Sequence, residues 1–182
     1  MKNNKTKQRL ADALMEIAQK KSISKITIRE IAEKCDVSSQ TFYNHFVDKY
    51  DLVLWIHKTY SDGLIKDYEE GSLTLKELIA KNLEFYMEHA SFMINAITNT
   101  YGSDSYWYKS VETVIDTMKD IIRKKFSVAE LTYEEEIHIN MYAYSFTELH
   151  YSFAKDGIRT SIDDAADIII SAMPRTIVKY FN

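Results

Sequence analysis

The chain has 182 residues, and 46% of them are hydrophobic. It contains only 4 Gly and 1 Pro, the two residues that break helices, so the composition favours an all-helical protein. The chain has one cysteine, which excludes an internal disulfide. No apolar run reaches the roughly 18 residues of a membrane span, and the first ten residues lack the apolar core of a signal peptide. We therefore expect a soluble, cytoplasmic protein. The net charge of −4 is unevenly distributed, with +4 over residues 1–58 and −8 over residues 59–182. This distribution indicates a basic N-terminal part that faces phosphates, which we call the head, and an acidic remainder, which we call the body.

The first predicted helix covers about residues 6–20, with an inner stripe that includes Leu10 and Leu14. Residues 1–5 are expected to form a loose tail, and the basic side chains of this tail and of the start of the helix could contact the DNA backbone or minor groove. They are Lys2, Lys5, Lys7 and Arg9. An ordinary solvated terminus explains these charges at least as well, and we prefer that interpretation.

Residues 27–46 predict two short helices joined by a tight turn. Thr27 and Glu30 have the spacing of a capping box, and Ser38 is suited to cap a second helix. Phe42 and Phe46 are four apart and face inward. The opposite face carries short or planar polar groups, namely Ser39, Gln40, Tyr43 and Asn44. Such a face is typical of a helix that contacts base edges in the major groove of DNA.

These residues resemble the tetracycline-repressor (TetR) family of bacterial regulators over about residues 6–60. The resemblance rests on Thr27, Ile28, Ile31, Ala32, Val37, Ser38, Thr41, Phe42, Tyr43, His45, Phe46, Lys49 and Leu52. It implies DNA contacts by Thr27, Ser38, Ser39, Gln40, Thr41, Tyr43, Asn44, His45 and Lys49. The family commonly has a small residue and then Gly in the turn, where this chain has Cys35 and Asp36; Asp tolerates a left-handed backbone better than most residues.

The remainder of the chain predicts further helices, about nine in all. The one at about 48–68 crosses from the basic part into the acidic part, so residues 1–50 form the predicted DNA-binding domain and residues 51–182 the predicted effector-binding and dimerisation domain. The others begin near residues 74, 91, 105, 132 and 161, with a turn at 102–104. Pro174 should kink the last helix or end its first half near Met173.

The acidic body is rich in aromatic and methionine residues, which suit a pocket for a flat or greasy ligand. The family resemblance implies such a cavity, and the candidate lining residues are Tyr86, Phe92, Met93, Trp107, Met118, Tyr142 and Phe146. The alternative is that these side chains simply form the core, which is the more common outcome for any one of them.

The last two predicted helices have apolar residues on more than one face, as in MYAYSF and ADIIISAM. A second apolar face suggests a partner helix pair, and similar proteins dimerise through this region. A homodimer also matches how helix-turn-helix proteins bind a palindromic operator, with one recognition helix in each half-site.

No candidate metal or catalytic site emerges from the sequence. Glu134 and His138 are four apart, but no third ligand follows at a recognisable spacing, and a solvated helix start explains them better. Cys35 is interpreted as a packing residue. We find no set of nucleophile, base and orienting group and no phosphate loop, so we predict neither a cofactor nor an enzyme.

The sequence therefore predicts a homodimeric transcriptional regulator, a repressor that binds double-stranded DNA and responds to a small-molecule effector. An alternative keeps DNA binding but replaces the small ligand with a protein co-regulator, and the outcome can then be activation. The body resembles, in its aromatic eighth predicted helix, the TetR subgroup of dihydroxyacetone kinase operon regulators, in which a helper protein has the effector role. A closed, lined cavity favours the small ligand, and excess exposed apolar surface on the fifth to seventh predicted helices favours the protein.

Overall fold

The structure is a computed structural model that describes residues 2–100, 105–126, 128 and 130–181. Within these residues it contains ten α-helices and no strand, which confirms the all-α prediction. The predicted turn at 102–104 and the side chain of Lys2 lie outside the described residues. None of the described helices is long and apolar enough to cross a membrane.

The helices follow one another with short connections. They are α1 (Lys2–Ala18), α2 (Ile28–Lys34), α3 (Ser39–Tyr43), α4 (Lys49–Glu69), α5 (Leu75–Glu88), α6 (Ala90–Thr98), α7 (Tyr106–Phe126), α8 (Tyr133–Asp156), α9 (Ile162–Ser171) and α10 (Arg175–Val178). A single 3₁₀ turn, Ile23–Lys25, connects α1 to α2.

Pro174 explains why the described chain has ten helices and not nine. The expected last helix stops at Ser171, and Pro174 precedes the separate helix α10. Proline has no N–H to continue the hydrogen-bond ladder, and its ring clashes with the preceding turn, so the helix ends as the sequence predicts.

Side-chain caps fix where several helices begin. Thr27, Thr74 and Thr132 each form a complete capping box with the Glu three residues later. In each box the Thr hydroxyl accepts from the Glu backbone N–H and the carboxylate accepts from the Thr backbone N–H, so two otherwise unpaired donors are satisfied. Ser161 caps α9 by accepting from the N–H of Asp164.

The first hydrophobic core lies in the N-terminal head and holds α1, α2 and α3 together. It includes Leu14, Ile31 and Phe42, none of which is exposed. The core does not stop at the predicted boundary near residue 50. Leu52 and Val53 from the start of α4 belong to it, and so do residues of α6. The head is therefore built partly from helices of the body.

The second hydrophobic core lies in the body, where α5 packs against α9 and α7 packs against α8. Leu83, Ile122, Ile139 and Ile177 are fully buried there. The helix α4 contributes Tyr68 at its far end, so this single 21-residue helix has one end in each core.

Candidate DNA-binding face and effector cavity

The turn between α2 and α3 takes the conformation that the sequence suggested. Asp36 has a φ of 53°, in the left-handed region that Gly occupies most readily and Asp tolerates. Cys35 is buried beside it, and its Sγ lies 3.1 Å from the carbonyl oxygen of Arg9, to which it can donate. Arg9 in turn donates from Nη2 to the carbonyl oxygen of Cys35, so both side chains attach α1 to the turn.

The exposed side of α3, which we call the recognition face, carries the amides predicted to contact bases. Gln40 and Asn44 are both exposed, and Nε2 of Gln40 lies 3.3 Å from Oδ1 of Asn44. Tyr43 is 54% exposed next to them. On the opposite side Phe42 and Phe46 are buried, as predicted. The five-residue helix therefore has one buried aromatic side and one exposed side of neutral hydrogen-bonding groups.

Two other residues of this stretch, Ser39 and His45, are less exposed than the sequence suggested, whereas Ser38 forms the cap that the sequence predicts. Ser38 caps α3 by accepting from the N–H of Thr41, and their hydroxyl oxygens are 3.1 Å apart. Ser39 is half-buried. His45 is half-buried too, and its buried Nδ1 has no hydrogen-bond partner among the described residues. The ring of His45 is therefore less available to DNA than the two amides.

Thr27 and Lys49, two of the residues predicted to contact DNA, lie close to each other in the fold, since Lys49 bonds the carbonyl oxygen of Ile26. Thr27 is exposed at the start of α2. The ammonium of Lys49 donates to the carbonyl oxygens of Ser24 and Ile26, both at 2.8 Å, and partial burial lowers the pKa of Lys49. Two of its three N–H groups are thus used within the head, which leaves one for an outside anion.

A cavity of about 110 Å³ lies within the body. Its lining comes from α4, α5, α7 and α8 and from two residues near the C-terminus, Met173 and Phe181. Four of the candidate lining residues do line it, namely Tyr86, Met118, Tyr142 and Phe146.

The other three candidate lining residues lie elsewhere. Phe92 and Met93 are buried in the first core, because α6 turns its apolar side toward the head. Trp107 packs against Tyr144 with ring centroids 5.6 Å apart at a tilted angle of 57° and does not line the cavity. Helical periodicity marked these residues as buried but could not say which of two cores would bury them.

The polar groups of the cavity are neutral. None of the described residues that line it is Asp, Glu, Lys or Arg. Burial is the main cause that lowers the pKa of both His57 and His150 to about 4, so both imidazoles are uncharged at neutral pH. Nε2 of His57 lies 3.1 Å from Oγ of Ser61, which accepts from the amide of Asn82.

Two further lining residues, Thr147 and His150, were not anticipated from the sequence. Oγ1 of Thr147 and Nε2 of His150 are buried and have no hydrogen-bond partner among the described residues. Buried polar atoms in native proteins nearly always have a partner. The only sequence signal was their position one and four residues after Phe146, a candidate lining residue, on the same turns of one helix.

The surface of α8 and α9 includes an apolar strip. On α8, Met141 is 62% exposed, and Ile137 and Tyr144, one turn to either side, are also exposed. On α9, Ile168 is 60% exposed, whereas its neighbour Ile169 is only 2% exposed in the body core. The predicted second apolar face of these helices is therefore present, and Ile169 does not belong to it.

Residues 10–56 match the family model described as bacterial regulatory proteins, tetR family. The chain is also 37% identical over 70 residues to the protein named "Uncharacterized HTH-type transcriptional regulator YvkB" of Bacillus subtilis (strain 168). That match spans 37% of this chain and 37% of the relative's length.

Solved structures share the fold over nearly the whole chain. The dihydroxyacetone kinase operon activator DhaS aligns with a TM-score of 0.66 at 18% identity, covering 97% of this chain and 98% of that one. A TetR transcriptional regulator from Rhodococcus sp. RHA1 aligns with a TM-score of 0.61 at 13% identity, covering 91% of this chain and 96% of that one. Residues 10–56 are thus similar to the bacterial regulatory proteins of the tetR family, and the chain as a whole shares its fold with these two solved structures.

Proposed function

We propose that the chain is a DNA-binding transcriptional repressor that binds a palindromic operator as a homodimer and is controlled by a small molecule in the body cavity. The observation that carries the proposal is the recognition face, where the exposed amides of Gln40 and Asn44 stand on a helix fixed from behind by Phe42 and Phe46. Amides that donate and accept at once match the N6 donor and N7 acceptor of adenine.

Dimerisation is supported by the apolar strip of Ile137, Met141, Tyr144 and Ile168 on α8 and α9. Large apolar side chains exposed on both helices indicate a protein partner. A second copy of the same chain fits, because two recognition helices related by a two-fold axis bind the two half-sites of a palindrome.

Control by a small molecule is supported by the position of the cavity among four helices of the body and by its contact with α4, which continues into the head. A ligand changes the spacing of two heads only by binding one conformation more tightly than the other. The rival proposal is control by a protein partner, with activation as a possible outcome. One structurally similar protein is named an operon activator, which agrees with this proposal. On the described parts of α5, α6 and α7, however, the exposed large apolar residues are only Tyr108 and Phe126, which offers little surface for such a partner.

The test is a binding-site selection with random duplex DNA, followed by affinity measurements at a fixed salt concentration. We expect a palindromic motif from the wild type. Gln40→Ala and Asn44→Ala should each relax the preference at one symmetric pair of positions, with a loss of about 1–3 kcal/mol there and little change on non-specific DNA.

Asn140→Ala is the matched control. Asn140 lies on α8, far along the chain from the head, and its amide donates to the carbonyl oxygen of Glu136 in its own helix. Because Asn140 lies beside the apolar strip, its variant controls for the selected motif and not for affinity, and it should select the wild-type motif. Identical motifs from all variants would mean that the two amides do not contact bases, and a failure of the wild type to enrich any motif would contradict the proposed function.

A further inference from the structure

The protonation state of His150 can be deduced from its neighbours. Nδ1 of His150 lies 2.8 Å from the carbonyl oxygen of Phe146. A carbonyl oxygen only accepts hydrogen bonds, so Nδ1 must carry the hydrogen. Because burial keeps the pKa of His150 at about 4, the ring is neutral and Nε2 has a free lone pair. This buried atom is a hydrogen-bond acceptor with no donor among the described residues.

The hydroxyl of Thr147 complements this acceptor. Thr147 lies three residues before His150, on the same side of α8, and both residues line the cavity. Its Oγ1 is buried without a partner in the described part of the chain, and a hydroxyl can donate as well as accept. Two residues of the cavity wall, one helical turn apart, therefore carry one unused acceptor and one hydroxyl that can donate.

A hydroxyl group satisfies both positions, because its hydrogen can go to Nε2 of His150 while its oxygen accepts from Thr147. A ketone or an ether supplies no hydrogen for His150. A carboxylate or a protonated amine would enter a site in which no described lining residue carries the opposite charge, and burying an unpaired charge is costly.

Size and lining restrict the remainder of the ligand. The cavity of about 110 Å³ is somewhat smaller than an apolar cavity of about 150 Å³ that binds benzene. Its walls include Tyr142, Phe146 and Ile121, and the flexible side chains of Met118 and Met173 can adapt to a guest. One aromatic ring, or an alcohol of similar volume, is the appropriate size.

We propose that the body cavity binds an uncharged, single-ring or similarly small apolar molecule bearing a hydroxyl group, which donates to Nε2 of His150 and accepts from Oγ1 of Thr147. This proposal rests on the proposed function only in taking the cavity as the effector site.

The test is titration calorimetry of the full chain without DNA, with phenol as the probe and with toluene, anisole and benzoate as comparisons. We expect phenol to bind at least tenfold more tightly than toluene or anisole, since neither of these can donate to His150, and benzoate not to bind. Equal affinity for phenol and anisole, tighter binding of benzoate, or no binding of phenol would each overturn the proposal.

Thr147→Val tests the donor with little change in volume. Thr113→Val is the matched control, because Thr113 also lines the cavity but its hydroxyl already donates to the carbonyl oxygen of Lys109 at 2.8 Å. Thr147→Val should weaken phenol about tenfold and leave toluene unchanged, whereas Thr113→Val should affect both little. Equal effects of the two variants on phenol would overturn the assignment of Thr147.

A separate titration of selected operator DNA, with and without phenol, distinguishes this proposal from the proposed function. Phenol binding that leaves the operator affinity unchanged would contradict control through the cavity but keep the ligand class. Operator binding by a chain that does not bind phenol would contradict the ligand class but keep the regulator.

Discussion

Asn95 on α6 connects the body to the head through three of its four side-chain hydrogen bonds. Its Oδ1 accepts from the backbone N–H of Ile23 at 2.9 Å and from the amide of Asn99 at 3.0 Å. Its Nδ2 donates to the carbonyl oxygens of Ala18 and Lys21, both at 2.9 Å. Three of these four bonds reach the segment between α1 and α2, so replacing Asn95 by Ala removes the main polar link between α6 and the head.

The cost of Asn95→Ala can be worked out from these contacts. Each lost bond contributes about 1 kcal/mol net, and the N–H of the fully buried Ile23 is left without its acceptor. Three bonds to the head therefore amount to about 3 kcal/mol. The higher helix propensity of Ala returns about 0.5 kcal/mol. We expect the free energy of unfolding to fall by about 2–3 kcal/mol, which lowers the urea midpoint by roughly 1 M at a slope of about 2 kcal/mol/M.

The assay is urea unfolding followed by circular dichroism, with Asn140→Ala as the control. Asn140 also lies on a helix and loses only a bond within its own helix, so its midpoint should stay near that of the wild type. If Asn95→Ala lowers the midpoint no more than Asn140→Ala does, water replaces the amide without cost and the reasoning about this link is wrong.

Three further predictions concern DNA, the dimer and pH. Lys49→Ala should weaken binding to all DNA sequences alike and reduce the salt slope by about one; a changed base preference at an unchanged slope would argue against a phosphate contact. Ile168→Glu should yield folded monomers in sedimentation and abolish operator binding. Ile169→Glu would instead unfold the body, because Ile169 is buried. A folded Ile168→Glu variant that remains a dimer would contradict the proposed interface. Hydrogen bonds from Thr132, with smaller contributions from Lys179, lower the pKa of Glu135 to about 2. The contribution of Glu135 to stability should therefore be complete above about pH 4.5 and be lost as the pH falls toward 2. Glu135→Gln should remove this part of the pH dependence of the unfolding free energy.

The features that the sequence predicted well are local ones. A capping box joins residues three apart, so Thr27, Thr74 and Thr132 could be identified without any knowledge of the fold. The left-handed turn at Asp36 and the break at Pro174 follow from the conformational limits of single residues. The two faces of α3 follow from helical spacing alone.

The features that the sequence did not predict depend on contacts between distant segments. Phe92 and Met93 have the composition of a pocket wall, but α6 packs them into the head core. The cavity's unpaired polar atoms on Thr147 and His150 become visible only when α4, α5, α7 and α8 surround them. A mid-helix Thr or His looks the same in sequence whether or not its polar atom finds a partner.

The same long-range packing connects the cavity to the head that carries the recognition face. His57 on α4 lines the cavity, and Leu52 and Val53, little more than one turn earlier on the same helix, are buried in the head core. A ligand that moves α4 at His57 would therefore move the head with it, because close-packed cores do not deform gradually. The bonds of Asn95 from α6 resist that movement from a second helix. Weakening them by Asn95→Ala should let the head follow α4 more freely, so that a ligand changes operator affinity by a different factor in this variant than in the wild type.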